Sequence, residues 1–163
     1  MKDKEKIFSE IQLLLNDREL AVSKIDSERP WGGFFVIDEN DSEKFIELFF
    51  PELDKGTLMQ GKLSPKILMV APNKKLSWQY HHRRSEVWKL IQGSAAVATS
   101  DTDIESQRTN LVKGNRITLK KGERHRLIGL NEWGIVAEIW IHTDTNHPSD
   151  EDDIVRLQDD FGR

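Results

Sequence analysis

The side chains in this chain best suited to chemistry fall in two short stretches: Gln79-Tyr80-His81-His82-Arg83-Arg84-Ser85-Glu86, with Gly93 beyond it, and Gly122-Glu123-Arg124-His125. Three of the five histidines lie in them. Imidazole, carboxylate and amide oxygen together suit a divalent cation. With no cysteine in the sequence, thiolate sites, disulfides and cysteine nucleophiles are excluded. In a strand, residues two apart share a face, so Gln79 and His81 project together. Glu86 opens the next apolar run, and after a tight return its carboxylate can point back to the same spot, with Trp88 and Leu90 on that inward face. His125, after a Lys-Gly-Glu-Arg turn, completes a set of four ligands and leaves positions open for water or substrate.

The elements that must position these groups are short. From Pro65 onward the runs KILMVA, EVWKLI, AAVAT, RITL, HRLIGL and IVAEIWI are separated by Gly, Asn, Asp or Ser-rich breaks, the pattern of an all-β sandwich or barrel. GGFFVID near residue 33 adds a further strand. Ahead of these, Ile7, Ile11, Leu14 and Leu15 stand at helical spacing within residues 3–20 and predict an amphipathic helix. DSEKFIELFF predicts a second helix, capped by Ser42, with Glu43 in the first turn and Pro51 ending it. Residues 52–65 read as a long loop, and the acidic tail as a short helical or turn segment around residues 153–157.

A length of 163 residues suits one domain, and 32% charged against 37% apolar residues is a globular balance. No apolar run approaches a membrane span, and MKDKEKIFSE carries no export signal, so a cytoplasmic protein is expected. A net charge of −4 argues against a nucleic-acid partner. The local basic group of Lys74, Lys75, Arg83 and Arg84 suits a small anion instead.

The spacing His81-x4-Glu86-x6-Gly93, followed by Gly114, Gly122 and His125, matches the two-part cupin signature. Five stretches extend the likeness: Arg29-Pro30-Trp31-Gly32, Leu76-Ser77-Trp78-Gln79-Tyr80-His81-His82, Gly122-Glu123-Arg124-His125-Arg126-Leu127, Glu151-Asp152-Asp153-Ile154-Val155-Arg156 and Phe161-Gly162-Arg163. In order and spacing they resemble the cupin domain of type II mannose-6-phosphate isomerases, over about residues 29–40 and 66–163. The resemblance implies a mainly β cupin double-stranded β-helix, or jelly-roll barrel, with an N-terminal α-helix and a short helical insertion. It is expected as one domain over 1–163: a helical extension to residue 28, then the barrel with its insertion at about 42–64.

The same resemblance implies an isomerase interconverting mannose 6-phosphate and fructose 6-phosphate, without guanylyl transfer at this length, and a divalent metal such as zinc held by Gln79, His81, Glu86 and His125. Arg83 and Val87 stand where the family has histidines; the four ligand positions survive both changes. Arg84, Arg126 and Arg156 are the candidates for holding phosphate or an enediolate, with Lys75 a further candidate for phosphate or proton transfer. Alternation turns Arg126 away from the metal face unless a bulge intervenes, and Arg156 has acids around it to pair with. No residue stands out as the base. Other readings are an isomerase of another phosphorylated sugar, a sugar or sugar-phosphate binding cupin without turnover, and an iron oxygenase, against which Gln79 weighs. A homodimer is the expected assembly.

Overall fold

The computed structural model describes residues 3–161, so Gly162 and Arg163 of the tail motif and the first two residues of the chain lie outside the described residues. Helix α1 (Lys4–Asp17) begins where the Asp3 carboxylate accepts from the Lys6 amide, and it buries Ile7, Phe8, Ile11 and Leu15. Strands β1 (Val22–Asp26) and β2 (Gly32–Ile37) form a hairpin, followed by α2 (Ser42–Phe49), α3 (Lys55–Leu58) and β3 (Lys66–Val70). The barrel continues with β4 (Trp78–Tyr80), β5 (Arg84–Ser100), β6 (Thr109–Asn110), β7 (Arg116–Leu119), β8 (Arg124–His142) and β9 (Val155–Gln158).

Two long strands organise the fold. β5 and β8 pair antiparallel along nearly their whole lengths, from Arg84↔His142 to Ser100↔Arg124. Midway, the register shifts between Leu90 and Gln92 and again between Gly93 and Ala95, opposite Gly134. Gly93 adopts φ +76°, and a Cβ there would meet the Trp133 carbonyl oxygen at 1.8 Å, so only glycine allows the two backbones this approach. The bulges pass both strands from one layer to the other. One layer runs β1-β2-β3-β8-β5-β7; in the other, β9-β4 joins the first half of β8, and β6 joins the second half of β5. The chain is a mainly β jelly roll carrying an N-terminal helix.

The centre of the first layer, around β2, β3 and the parts of β5 and β8 beside them, is buried on both faces. Leu68, Val70, Trp88, Leu90 and Val136 fill the barrel with Trp31, Phe34, Leu119 and Leu127. Their neighbours Ile67, Met69, Val87, Ile135, Ala137 and Ile139 point outward, under Ile7, Ile11 and Leu15 of α1 and Phe45 and Ile46 of α2. Two buried faces explain why KILMV reads as a continuous apolar run and not as an alternation.

Three local expectations are corrected. Asp41, not Ser42, occupies the N-cap position of α2; the Asp41 carboxylate accepts from the Ala21 amide, and Ser42 donates to Glu39. The segment 52–65 is not all loop, because Thr57 donates to Asp54 and Lys55 pairs with Glu43 and Glu47, which closes one helical turn as α3. Residues 155–158 are a strand: the short β4 leaves an edge beside it, and β9 takes that edge in the register Gln79↔Arg156 and Tyr80↔Val155. The hairpin strand β1 and the two-residue β6 went unmarked in the apolar pattern, since both are largely exposed.

Candidate metal centre

Alternation along β5 puts Arg84, Glu86 and Trp88 on the barrel face. Gln79 of β4 stands opposite His125 of β8, and His81 follows two residues later in the chain. His81, Glu86 and His125 are all buried, and one ligand atom from each lies within 4.8 Å of the others. His81 Nδ1 is 2.7 Å from the Asp153 carbonyl oxygen and His125 Nδ1 is 3.2 Å from that of Glu123. A carbonyl only accepts, so each Nδ1 carries the proton and each Nε2 the lone pair. Both nitrogens face one carboxylate: His81 Nε2 is 3.3 Å from Glu86 Oε2 and also accepts from Arg84 Nη2 at 3.3 Å, while His125 Nε2 is 3.4 Å from Glu86 Oε1.

These separations fit a shared cation. In a tetrahedral zinc site with bonds of about 2.0–2.2 Å, neighbouring ligand atoms stand about 3.3–3.6 Å apart. His125 Nε2 is also buried without a hydrogen-bond partner, the state of a nitrogen meant for an ion. Gln79 lines a cleft with Arg84 and Glu86, and its Oε1 accepts from Ser77 Oγ at 2.6 Å, which orients the amide. Burial first, and then the Arg84 and His125 charges, push His81 down to about 4 against the pull of Glu86, so the imidazole is neutral at pH 7. Burial alone would raise the Glu86 carboxyl. Positive charge around it, on Arg84 and on the imidazoles whenever they are protonated, outweighs burial and holds it well below the usual carboxylate range; with the imidazoles neutral, that charge is the Arg84 guanidinium.

The acidic tail braces this cluster. Asp153 accepts from the His82 and Arg83 amides, both at 2.9 Å, and from Ser149 Oγ at 2.5 Å, while its carbonyl holds His81. These hydrogen bonds overcome the cost of burial and lower Asp153 to about 2. Composition gave no hint of this, since Asp153 sits among solvated acids in sequence and only folding lays it under the ligand loop.

Of the expected phosphate-binding side chains, two reach the cleft. Arg84 donates from Nε to Glu86 Oε2 at 2.8 Å and from Nη1 to Ser149 Oγ and the Asp150 carbonyl, with its guanidinium 3.5 Å over the Trp140 ring. Arg156, exposed on β9, lines the cleft beside Gln79. Arg126 and Lys75 are not brought there. Alternation holds along β8, so the buried Arg126 points to the other face and donates to the Leu76 carbonyl, to Glu105 and to the Gln158 carbonyl. Lys75 pairs with Asp160 at 3.7 Å and lines a separate groove with Lys74 and Arg108.

Several members of the cleft had no role assigned from the sequence, among them Glu138, Lys66 and Arg29. Glu138 is buried and accepts from two indoles, Trp88 Nε1 at 2.7 Å and Trp140 Nε1 at 2.9 Å. Lys66 lies 4.3 Å over the Trp140 ring and pairs with Glu151. Arg29 stands at the cleft's rim. A signal for Glu138 existed in the single acid inside the apolar run IVAEIWI; its register opposite the inward Trp88 came only with the structure. Larger grooves lie elsewhere, such as the roughly 660 Å³ hollow between α1 and the β1–β2 hairpin, but the described residues lining it include no comparable ligand set.

Comparison with known proteins agrees with this architecture. A family model described as the mannose-6-phosphate isomerase C-terminal domain matches residues 50–159. The alginate biosynthesis protein AlgA of Pseudomonas aeruginosa is 32% identical over 136 residues, 83% of this chain and 22% of its own length. Mannose-1-phosphate guanylyltransferase 2 of Escherichia coli O157:H7 is 28% identical over 150 residues, 91% of this chain and 25% of its own length. This chain thus spans about a quarter or less of these curated relatives. Among solved structures, an oxalate decarboxylase of Lactobacillus farciminis superposes with a TM-score of 0.55 at 17% identity, covering 88% of this chain and 34% of that one. CapF, a capsular polysaccharide assembling protein of Staphylococcus aureus, gives 0.53 at 14% identity over 85% of this chain and 34% of its own. At such identities these two speak for the fold alone.

Proposed function

Since the chain belongs to the mannose-6-phosphate isomerase C-terminal family, we propose that it is a metal-dependent aldose–ketose isomerase interconverting mannose 6-phosphate and fructose 6-phosphate. The observation that carries the reading is the buried meeting of two imidazole lone pairs on the Glu86 carboxylate, in a cleft ringed by basic side chains. His81, Glu86 and His125 would hold the ion, with Gln79 as a fourth ligand. When bound, a divalent cation such as zinc supplies Lewis acidity toward oxygens on two adjacent substrate carbons.

The chain's own side chains do the rest. Arg156, at the open side of the cleft, receives the phosphate of the sugar, for which a guanidinium fork is the natural partner. Arg84, held by Glu86, Ser149 and Asp150, contributes fixed positive charge beside the reacting carbons and needs no reorganisation to do so. Trp31, Phe34, Leu68 and Trp88 close the inner end of the cleft and exclude water.

The test is a coupled assay of mannose 6-phosphate conversion by zinc-loaded protein, with Glu86→Ala and His125→Ala as controls. Metal-dependent turnover lost in both variants supports the reading. A loaded wild type without turnover sinks it. The substitutions at Arg83 and Val87, beside the ligands, favour a second reading in which the same cleft takes another phosphorylated sugar; a panel of pentose and hexose phosphates in the same assay separates the two.

A further inference from the structure

An isomerase of this kind needs a group that carries a proton between two adjacent carbons, and the ligand set does not provide one. Glu86 is enclosed by His81, His125 and Arg84. Asp153 spends its carboxylate on two amides and a hydroxyl, and His82 is exposed. The Glu151 carboxylate is 73% exposed and paired with Lys66. One acid of the cleft remains.

Glu138 lies on β8 opposite Trp88, while Trp140 lies opposite Glu86. Glu86 and Glu138 are therefore diagonal neighbours on one sheet face, a placement that sets Cα atoms about 7–8 Å apart. Both line the same cleft. Each Glu138 oxygen accepts one indole N–H, from Trp88 and Trp140, which fixes the carboxyl plane and leaves further lone pairs on both oxygens. Among the described residues no ion pair is made to it: Lys66 and Arg84, whose charges it feels, are paired with Glu151 and Glu86. A buried carboxyl held by two tryptophans, and without an ion pair among the described residues, has little structural reason to be an acid.

Resting on the isomerase reading, we propose that Glu138 is the proton carrier of this cleft. Its carboxylate takes the hydrogen of substrate C2 as a proton, the C2–H pair becomes the C1–C2 double bond, and the carbonyl π pair moves onto O1. The second step delivers the proton to C1 as the C1–C2 π pair forms the new C–H bond and the carbonyl re-forms at C2, and the proton shed by the O2 hydroxyl balances the one gained at O1. No oxidant or reductant is involved. Burial and the neighbouring Glu86 charge raise the Glu138 carboxyl above the usual carboxylate range, against Lys66, Arg84 and the Trp88 N–H.

The test compares wild type with Glu138→Gln and Glu138→Asp for zinc content, melting temperature, sugar-phosphate affinity by calorimetry and isomerisation rate. Glu138→Gln is expected to keep its zinc and to bind mannose 6-phosphate within about threefold of wild type, while kcat falls by about 10²–10⁴-fold. Glu138→Asp keeps the charge but withdraws it by one methylene, and is expected to retain zinc with an intermediate rate. A zinc-loaded Gln variant turning over within threefold of wild type overturns the proposal and leaves the isomerase reading standing. If the Gln variant loses zinc or does not fold, an Asp variant that holds zinc and runs at the wild-type rate overturns it equally. A wild type inactive on every sugar phosphate of the panel takes down both.

Discussion

The two faces of the β3–β8–β5 layer are made from alternate residues of the same strands, yet they hold opposite chemistry. Outward, Ile67, Met69, Val87, Ile135, Ala137 and Ile139 meet the apolar sides of α1 and α2. Inward, Lys66, Glu86, Glu138 and Trp140 share the cleft with Trp88. The difference shows how a small domain can afford a cluster of buried charge: under the helical cover the other face of the same sheet is mostly apolar, with Lys89 paired to Glu52 at its margin, and the backbone ladder is common to both. Stability and site are thus separable by substitution, even between adjacent residues.

That separation is testable, starting where the effect is largest. Glu86→Ala or His125→Ala removes a ligand from the inward face; metal content by elemental analysis is expected to collapse and turnover to fall by at least about 10³-fold, with the fold retained by circular dichroism. Retained stoichiometric zinc in both would break the comparison. On the outward side, Phe45→Ala leaves a cavity under α2, with an expected cost of about 3–5 kcal/mol in denaturant unfolding and no change in metal affinity. A loss of metal in that variant would mean that the two faces are coupled.

Asp153 lies between these extremes, bracing the ligand loop from the tail. Its folded pKa of about 2 lies below its ordinary 3.8, so its contribution is present above about pH 4 and is lost as pH falls through 2. With solvent screening allowed for, this amounts to about 1–2 kcal/mol. Asp153→Asn is expected to flatten that acid limb in unfolding curves measured from pH 7 to 2, and to weaken metal binding at neutral pH by loosening His81. The smallest effect is expected at Lys75→Ala, within about 0.5 kcal/mol and without change in sugar-phosphate affinity, because its ion pair with Asp160 is half exposed and away from the cleft.

Much of the site was legible from local spacing. Gln79, His81 and Glu86 lie within eight positions, where strand alternation and one tight return suffice to predict their convergence. The amphipathic α1 and the apolar runs of β3, β5 and β8 were equally legible, since each rests on a period of a few residues. The exposed β1 and β6 carry no apolar period, and β9 is a strand only because β4 offers it an edge. Arg126 and Lys75 look like site residues because they adjoin His125 and the basic stretch in sequence. Adjacent positions in a strand face opposite ways, and Arg126 spends its guanidinium on the far side.

By itself, then, the sequence determined the ligand chemistry, the handful of strands able to present it and the apolar periods that bury them, all properties of a few consecutive residues. Only the tertiary structure decided which distant groups join them: Glu138 beside Glu86, Asp153 beneath His81, Arg156 at the rim. The physical reason is register. The bulges around Leu90 and Gly93 and the long β5–β8 ladder set which residue faces which across some fifty positions of chain, and that pairing depends on loop lengths and packing that no local period records.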